Sequence, residues 1–197
     1  MKIRFSIIVP SIGRPTLCRT IQSVIDGGFS KEDDELIVIS DGPNPEVRRM
    51  VQSFKDSIGI SDMEGPKTSC WGNTQRMIAM KTAKGTHIAF IDDDDGYFPG
   101  ALTRVREAVS KNPDRPHIFK MQGQPPRYSG GSLWRSRDLI PGNVGTPMIV
   151  TPNVPEKLGV WGENGLGDYE FINSTSLFYG KDHSGVVWVD DVIVHIH

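Results

Sequence analysis

The chain has 197 residues, of which 37% are hydrophobic and 23% charged, and its formal net charge at pH 7 is −2. This size and composition are typical of one globular domain, and the near-neutral charge excludes a broad basic surface for nucleic acid, although not a local basic groove. No apolar run approaches the ~20 residues of a membrane span, and the first residues show no signal pattern. Two distant cysteines suit a reducing compartment, so we expect a cytoplasmic protein without membrane contacts.

The first half of the chain alternates predicted strands with predicted helices. Strands are predicted at 5–9, 36–39, 58–63 and 88–91, and helices at 17–25, 47–54 and 73–83, from continuous apolar runs and from apolar residues at helical spacing. Pro10 is expected to end the first strand. This alternation predicts an open α/β sheet whose ligand site lies at the carboxyl ends of the strands. Segments 11–14, 40–42 and 92–95 follow three of these strands and should meet there.

The most charged of these segments is a run of four aspartates, Asp92 to Asp95, which Gly96 and Pro99 are expected to close. In an extended chain, Asp92 and Asp94 face one side and Asp93 and Asp95 the other. Four neighbouring carboxylates repel one another unless they are solvated, protonated or bound to a cation. Carboxylate oxygens suit Mg²⁺ or Mn²⁺, so a catalytic metal is one interpretation. A solvated acidic turn and a calcium loop are the alternatives.

The second half of the chain is richer in loops. A helix is predicted at 102–109 and strands at 117–121 and 186–196, while segment 122–153 carries short apolar pieces between prolines and glycines. A short helix is predicted to start near 167–171. Such a half suits recognition of a second substrate, and an irregular β-rich cap is the alternative. Trp134 and Trp161 are candidates for stacking on a sugar, or simply for the core.

Several motifs occur together in a fixed order. They are residues 5–10 with Arg14, residues 37–42, residues 72–76, and residues 89–95 with 99–102. As an ordered set over roughly the first 110 residues, they resemble the family 2 glycosyltransferases of the GT-A fold. The resemblance implies a GT-A-like open mixed sheet flanked by helices. It also implies a single domain, 1–197, with a Rossmann-like nucleotide-sugar half at 1–110 and an acceptor and catalytic-base half at 111–197.

The resemblance also assigns roles to individual residues. The residues matched to the nucleotide sugar are Pro10, Ser11, Arg14, Asp41, Arg76, Asp92 and Asp93. Asp41 takes the position used against the base, although Ser40 replaces the first of two acids found in many members. Arg76 suits a diphosphate by its fixed charge, and an ordinary surface arginine is the alternative. Asp94 matches the metal-binding position, and His195 or His197 is a candidate to complete the metal shell.

The candidate general base lies further along the chain. In the family this base belongs to a Glu-Asp pair, which Gly167 and Asp168 match with glycine in place of the glutamate. We therefore select Asp168, with Glu170 and Glu163 in reserve. A helix N-terminal acid favoured by the helix dipole is the alternative for Asp168.

Together these assignments predict a metal-dependent, inverting glycosyltransferase that uses Mn²⁺ or Mg²⁺. It would move a hexose from a nucleoside diphosphate sugar, with UDP-glucose the first donor to try, onto a soluble hydroxyl acceptor such as a sugar, a protein or a modified nucleobase. Two other functions stay open. A sugar-phosphate nucleotidyltransferase would carry more than the one glycine of segment 10–15, and a nucleotide-sugar or metal-binding module would lack turnover. The sequence leaves the oligomeric state open.

Overall fold

A mixed β-sheet forms the centre of the protein in a computed structural model that describes residues 1–123, 132–133 and 136–196. Its first part consists of β1 (Phe5–Ser11), β2 (Glu35–Asp41), β3 (Ile60–Gly65) and β4 (His87–Phe90). These strands are parallel and lie in the order β3-β2-β1-β4. Because β1 is buried along its whole length, it reads in the sequence as a continuous apolar run. The helices α1 (Leu17–Asp26), α2 (Pro45–Gln52) and α3 (Asn73–Met80) connect them.

The remaining strands continue the same sheet beyond β4. They are β5 (Gly96–Tyr97), β6 (His117–Gly123), β7 (Ser132–Leu133), β8 (Ile149–Pro152) and β9 (Val187–Ile196). The order continues as β4-β8-β6-β9-β5, with β7 paired to β6. β8 is antiparallel to β4 and β6, whereas β9 is parallel to β6. The helices of this part are α4 (Ala101–Lys111) and α5 (Gly167–Ser176). The open mixed sheet flanked by helices, predicted from the sequence, is therefore confirmed.

Several predicted strand ends were wrong, those at Pro10 and Gly96 among them. β1 continues through Pro10 to Ser11, because β4 pairs with β1 only as far as Ile8. At Pro10 the strand thus has β2 as its remaining neighbour, and a missing N–H is tolerated where a strand has a free side. Gly96 likewise begins β5 instead of ending a strand, and it lies opposite His195 of β9. A Cβ at position 96 would lie 2.7 Å from the imidazole ring, so glycine is required there.

The extended conformation predicted for the acidic run, Asp92 to Asp95, was also wrong. Residues 92–95 form a tight turn, in which the Asp95 N–H donates to the Asp92 carbonyl at 3.1 Å. The four side chains therefore do not alternate between two faces of a strand. Helix α2 is shorter than predicted and ends at Gln52, so Phe54 lies in the turn that follows.

An aromatic cluster connects β4 to α5. The ring of Phe90 packs edge-on against Trp161 and Phe171, with centroids 5.1 and 5.4 Å away, and these two rings stack at 4.7 Å. All three side chains are buried, so the cluster fixes α5 above the end of β4. Trp161 is thus a core residue, while Trp134 and His197 lie outside the described residues. None of the helices in the described ranges has the length and apolarity needed to span a membrane.

Candidate active site

A cavity of about 740 Å³ lies at the carboxyl ends of β1, β2 and β4. The structure brings nine of the ten predicted site residues to its wall: Pro10, Ser11, Arg14, Asp41, Arg76, Asp92, Asp93, Asp94 and Asp168. They come from segments far apart in the chain, since strand ends supply most of them and α3 and α5 supply Arg76 and Asp168. Segment 145–147 lines the opposite part of the wall.

Asp93 joins the first loop to the acidic turn. Its buried carboxylate accepts hydrogen bonds from the Ser11 hydroxyl at 2.6 Å, from the Ile12 N–H at 3.2 Å and from the Arg14 guanidinium at 2.6 Å. Burial lowers the pKa of Arg14, but Asp93 and Asp94 outweigh this and raise the pKa above its usual value. Asp93 therefore positions the loop and its arginine at the wall of the cavity.

Asp94 is a carboxylate of this turn with a raised pKa. Burial raises its pKa, the Arg14 guanidinium 3.1 Å away lowers it, and the neighbouring Asp92 and Asp93 raise it again, so that the net shift is upward. A cation beside Asp94 would remove this repulsion. The donor chemistry thus fits a hard divalent ion held by one or two carboxylates together with the phosphates of a substrate.

Protein side chains alone do not form a metal centre in the part of the chain that the structure describes. Within residues 1–123, 132–133 and 136–196, no three His, Cys, Asp or Glu side chains are grouped so that they could hold a metal ion. His195 does not line the large cavity. Its ring packs 5.3 Å from Phe98 and borders a smaller cavity of about 140 Å³, together with Asp94 and Asp95. His195 therefore shares the smaller cavity with Asp94, and its role in completing a metal shell stays a prediction.

Arg76 is buried, so the alternative of an ordinary surface arginine was wrong. Its side chain is 2% exposed, and its guanidinium is hydrogen-bonded to Asp92. It also donates to the Trp71 carbonyl at 2.9 Å and to Asn73 Oδ1 at 3.1 Å, and it lies 4.7 Å above the Trp161 ring. Arg76 therefore connects the start of α3, the acidic turn and the aromatic cluster.

Asp41 holds the loop that precedes α3. Its carboxylate accepts hydrogen bonds from the Thr68 N–H at 2.7 Å and from the Gln75 side-chain amide at 2.7 Å. Burial raises the pKa of Asp41, but the backbone hydrogen bonds from Thr68 and Ser69 and the Lys67 ammonium outweigh it, so that the pKa lies below its usual value. Asp41 is thus a charged carboxylate that accepts its hydrogen bonds from other residues of the protein.

Asp168 lies in the first turn of α5 and faces the cavity. Burial raises its pKa, the Tyr169 N–H and Arg76 lower it, Asp92 raises it, and the net shift is upward. The two reserve acids are absent from the described wall of the cavity, and Glu170 instead accepts a hydrogen bond from Asn164 at 2.8 Å. A half-buried carboxylate with a raised pKa is a suitable proton acceptor.

Asn73 explains the glycine at position 167. The Asn73 amide donates to the carbonyls of Gly162 at 2.7 Å and Asn164 at 3.0 Å, and a Cβ at position 167 would collide with this amide. Asn73 therefore connects α3 to the loop before Asp168 and fills the space of a larger side chain. Sequence reasoning assigned no role to Asn73, although it lies in the motif at 72–76, and it missed the wall residues Lys67, Trp71 and Thr146, which nothing in the local pattern sets apart.

Comparison with known proteins gives matches in sequence and in structure. The sequence profile described as glycosyl transferase family 2 matches residues 6–153. The poly(ribitol-phosphate) beta-N-acetylglucosaminyltransferase TarS of Staphylococcus aureus is 21% identical over 122 residues, which are 61% of this chain and 21% of TarS. The GalNAc(5)-diNAcBac-PP-undecaprenol beta-1,3-glucosyltransferase of Campylobacter jejuni is 28% identical over 118 residues, covering 59% of this chain and 37% of that enzyme. The matched regions thus span well under half the length of these two relatives.

The solved structures agree on the fold. The crystal structure of residues 1–349 of S. aureus TarS superposes with a TM-score of 0.80 at 17% identity, covering 98% of this chain and 60% of that one. The mannosyltransferase PcManGT of Pyrobaculum calidifontis, in complex with GDP-Man and Mn²⁺, superposes with a TM-score of 0.74 at 12% identity, covering 99% and 57%. Since the family profile covers about three quarters of the sequence and the GT-A fold is found in full, the chain belongs to glycosyl transferase family 2.

Proposed function

We propose that this chain is a metal-dependent, inverting glycosyltransferase that moves a hexose from a nucleoside diphosphate sugar to a hydroxyl acceptor. The observation that carries this proposal is that one cavity of about 740 Å³ has the strand-end loops, the acidic turn and Asp168 in its wall. Its volume of about 740 Å³ is suited to a nucleotide sugar and part of an acceptor.

The donor would lie along the ends of β1, β2 and β4. Pro10, Ser11 and Arg14 border the nucleotide, with Asp41 at one end and Asp92 at the other. UDP-glucose is the first donor to test. UDP-N-acetylglucosamine is the second, because TarS has been solved in complex with it. Arg14 supplies a fixed positive charge near the diphosphate, where its bonds to Asp93 and Asp94 keep it oriented.

Asp94 would hold the divalent cation, Mn²⁺ or Mg²⁺. Support comes from the raised pKa of Asp94 among like charges and from the Mn²⁺ in the structural relative PcManGT. When bound, the cation neutralises negative charge that develops on the departing diphosphate, as a Lewis acid does. Asp92 pairs with Arg76, and Asp93 accepts hydrogen bonds from Ser11, Ile12 and Arg14, whereas Asp94 shares Arg14 at 3.1 Å and keeps a raised pKa, which favours Asp94 as the metal ligand.

Asp168 would act as the general base. As the acceptor oxygen forms its bond to the anomeric carbon, the bond from that carbon to the diphosphate oxygen breaks, and the hydroxyl proton moves to Asp168. Attack from the face opposite the leaving group inverts the anomeric configuration. Asp168 must be ionised to accept the proton, so its raised pKa predicts an acidic limit of activity above the usual range for aspartate.

The acceptor would be a soluble molecule with a free hydroxyl group, namely a sugar, a protein or a modified nucleobase, and the protein would be cytoplasmic. The acceptor would enter beside segment 145–147, which lines the cavity away from the nucleotide loops. The TarS and C. jejuni enzymes are named for transfer to poly(ribitol-phosphate) and to an undecaprenol-linked saccharide, both of which offer hydroxyl groups. These names support a hydroxyl acceptor, and a sugar is the first class to test.

Donor hydrolysis tests the proposal without knowledge of the acceptor. UDP release from UDP-glucose and from UDP-N-acetylglucosamine is measured with Mn²⁺ and with EDTA, for the wild type, Asp168→Asn and the control Asp190→Asn. Asp190 is an exposed residue of β9 outside the cavity wall. We expect Mn²⁺-dependent release that Asp168→Asn lowers about 10²- to 10⁴-fold and that Asp190→Asn leaves unchanged.

The other outcomes identify the alternatives. Thermal stabilisation by UDP without any release would indicate a binding module without turnover. Pyrophosphate release from UTP and a sugar 1-phosphate would indicate a nucleotidyltransferase. Either result would overturn the proposed function.

A further inference from the structure

The segment at residues 162–166, which we call the base loop, leads directly into α5 and Asp168. The Asp168 carboxylate accepts a hydrogen bond at 2.7 Å from the N–H of Tyr169, its neighbour in the same helix. Because this bond moves with the helix, it orients the side chain relative to α5 and not relative to the cavity. The position of the carboxylate in the cavity therefore depends on what holds the base loop.

Contacts inside the base loop keep it compact. The Asn164 side chain accepts a hydrogen bond from the Leu166 N–H at 2.8 Å and donates one to Glu170 at 2.8 Å. The Glu170 carboxylate also lies so near to Gly162 that a Cβ there would be 1.4 Å from it. These partners all belong to the base loop or to α5, so their contacts do not fix the loop against the donor side of the cavity.

Asn73 connects the base loop to the donor side from the start of α3. It is 3% exposed, and its amide donates to the carbonyls of Gly162 at 2.7 Å and of Asn164 at 3.0 Å. Its Oδ1 accepts a hydrogen bond from Arg76 at 3.1 Å, and Arg76 is itself hydrogen-bonded to Asp92 of the acidic turn. Both ends of the Asn73 amide are therefore used, one toward the base loop and one toward the acidic turn.

Gly167 makes room for this amide. A Cβ at position 167 would lie 2.3 Å from Asn73 Nδ2, closer than two such atoms can approach. Gly167 is not among the glycines with a positive φ, so the close approach and not the backbone conformation requires glycine here. Asn73 and Gly167 thus fit one another as a pair, which lets the first turn of α5 lie directly against α3.

We propose that Asn73 is a positioning residue for Asp168, whose amide holds the base loop so that the carboxylate stays directed into the cavity. The inference rests on the proposed function and deepens it. Proton transfer requires hydrogen-bond distance between the base and the hydroxyl, so a displacement of about 1 Å is enough to slow the reaction strongly. The role needs a donor at position 73, because both contacts in the base loop are carbonyl oxygens.

UDP release in Mn²⁺, from the UDP sugar that the wild type hydrolyses, tests this role. Asn73→Ala removes the amide, whereas Asn73→Asp keeps its size and the acceptor for Arg76 but cannot donate. Asn153→Ala is the matched control, because the Asn153 amide also donates to two carbonyls, those of Ala83 and Gly85, outside the described cavity wall. We expect both Asn73 variants to lower kcat about 10- to 100-fold, with KM for the donor within about twofold of the wild type. Asn153→Ala should lower Tm and leave kcat unchanged.

A double-mutant cycle tests the contact between Asn73 and Gly167. Gly167→Ala presses a methyl group against the amide and should lower kcat. In the Asn73→Ala background the methyl group occupies vacated space, so it should cause little further loss, and the two effects should not add. Hydrogen exchange of the amides at 162–166 should be faster in both Asn73 variants and unchanged in Asn153→Ala.

The outcomes separate this inference from the proposed function. A wild-type kcat in Asn73→Asp, additive losses in the double mutant, or unchanged exchange at 162–166 would each overturn the inference alone. Asn73→Asp also provides the result if Asn73→Ala does not fold, since it keeps the bond to Arg76. A wild type that releases no UDP from either UDP sugar would overturn the proposed function and the inference together.

Discussion

Replacing the buried Arg76 by methionine should lower the free energy of unfolding by about 3 kcal/mol. The charge-assisted hydrogen bond to Asp92 contributes about 1.5 to 3 kcal/mol, and the lower value applies because the Asp92 side chain is 35% exposed. The contact at 4.7 Å to the Trp161 ring contributes about 1 kcal/mol, although a methionine retains part of its packing. The carbonyl of Trp71 and the side chain of Asn73 lose their donors and account for the remainder.

Urea unfolding followed by circular dichroism measures this change, and a thermal scan should show a fall in Tm of about 6 to 12 °C for a chain of this length. The stability of Arg76→Lys should lie between those of the wild type and Arg76→Met, since lysine keeps the charge but loses the planar set of donors. Arg49→Met is the control, because its side chain is 76% exposed and pairs with a neighbour on the same helix, so it should change stability by less than about 0.5 kcal/mol. If Arg76→Met and Arg49→Met had the same stability, the connecting role of Arg76 would be refuted.

Two further predictions concern the proposed metal ligand, Asp94, and a buried histidine. Asp94→Asn should abolish the additional rise in Tm that Mn²⁺ produces in the presence of UDP, and a rise equal to that of the wild type would contradict the metal role of Asp94. Burial, with His87 nearby, lowers the pKa of His117 from 6.5 to about 4. Because the unfolded chain binds this proton below pH 6.5, His117 contributes stability above that pH, and up to about 3 kcal/mol is lost as the pH falls toward 4. His117→Phe should flatten the fall measured by urea titrations between pH 6.5 and 4, and an unchanged slope would contradict the prediction.

The strand-end loops show where sequence reasoning works well. Parallel buried strands read as continuous apolar runs, and their connections must place polar residues at the carboxyl edge. The positions of Ser11, Asp41 and Asp92 in one cavity follow from this pattern without knowledge of contacts. The roles assigned to them by resemblance stay predictions.

The partners of individual side chains show where sequence reasoning fails. The extended geometry expected for the acidic run gave way to a turn because Asp93 is drawn to Ser11 and Arg14, about 80 positions earlier in the chain. His195 lies on a strand whose register with Gly96 directs it to a smaller cavity. Neither pairing leaves a signal in the local sequence, because each depends on which strands become neighbours.

The order of apolar runs and loop residues in the sequence determined that a parallel sheet would form and that its carboxyl edge would carry the acids. Periodicity and burial are local properties of a chain, so one sequence suffices to read them. Only the tertiary structure decided which partner each charged group finds. It buried Arg76 against Trp161, paired Asp41 with Thr68 and Gln75, and left Asp94 among like charges, because the stability of a charge depends on neighbours that the fold, and not the local sequence, supplies.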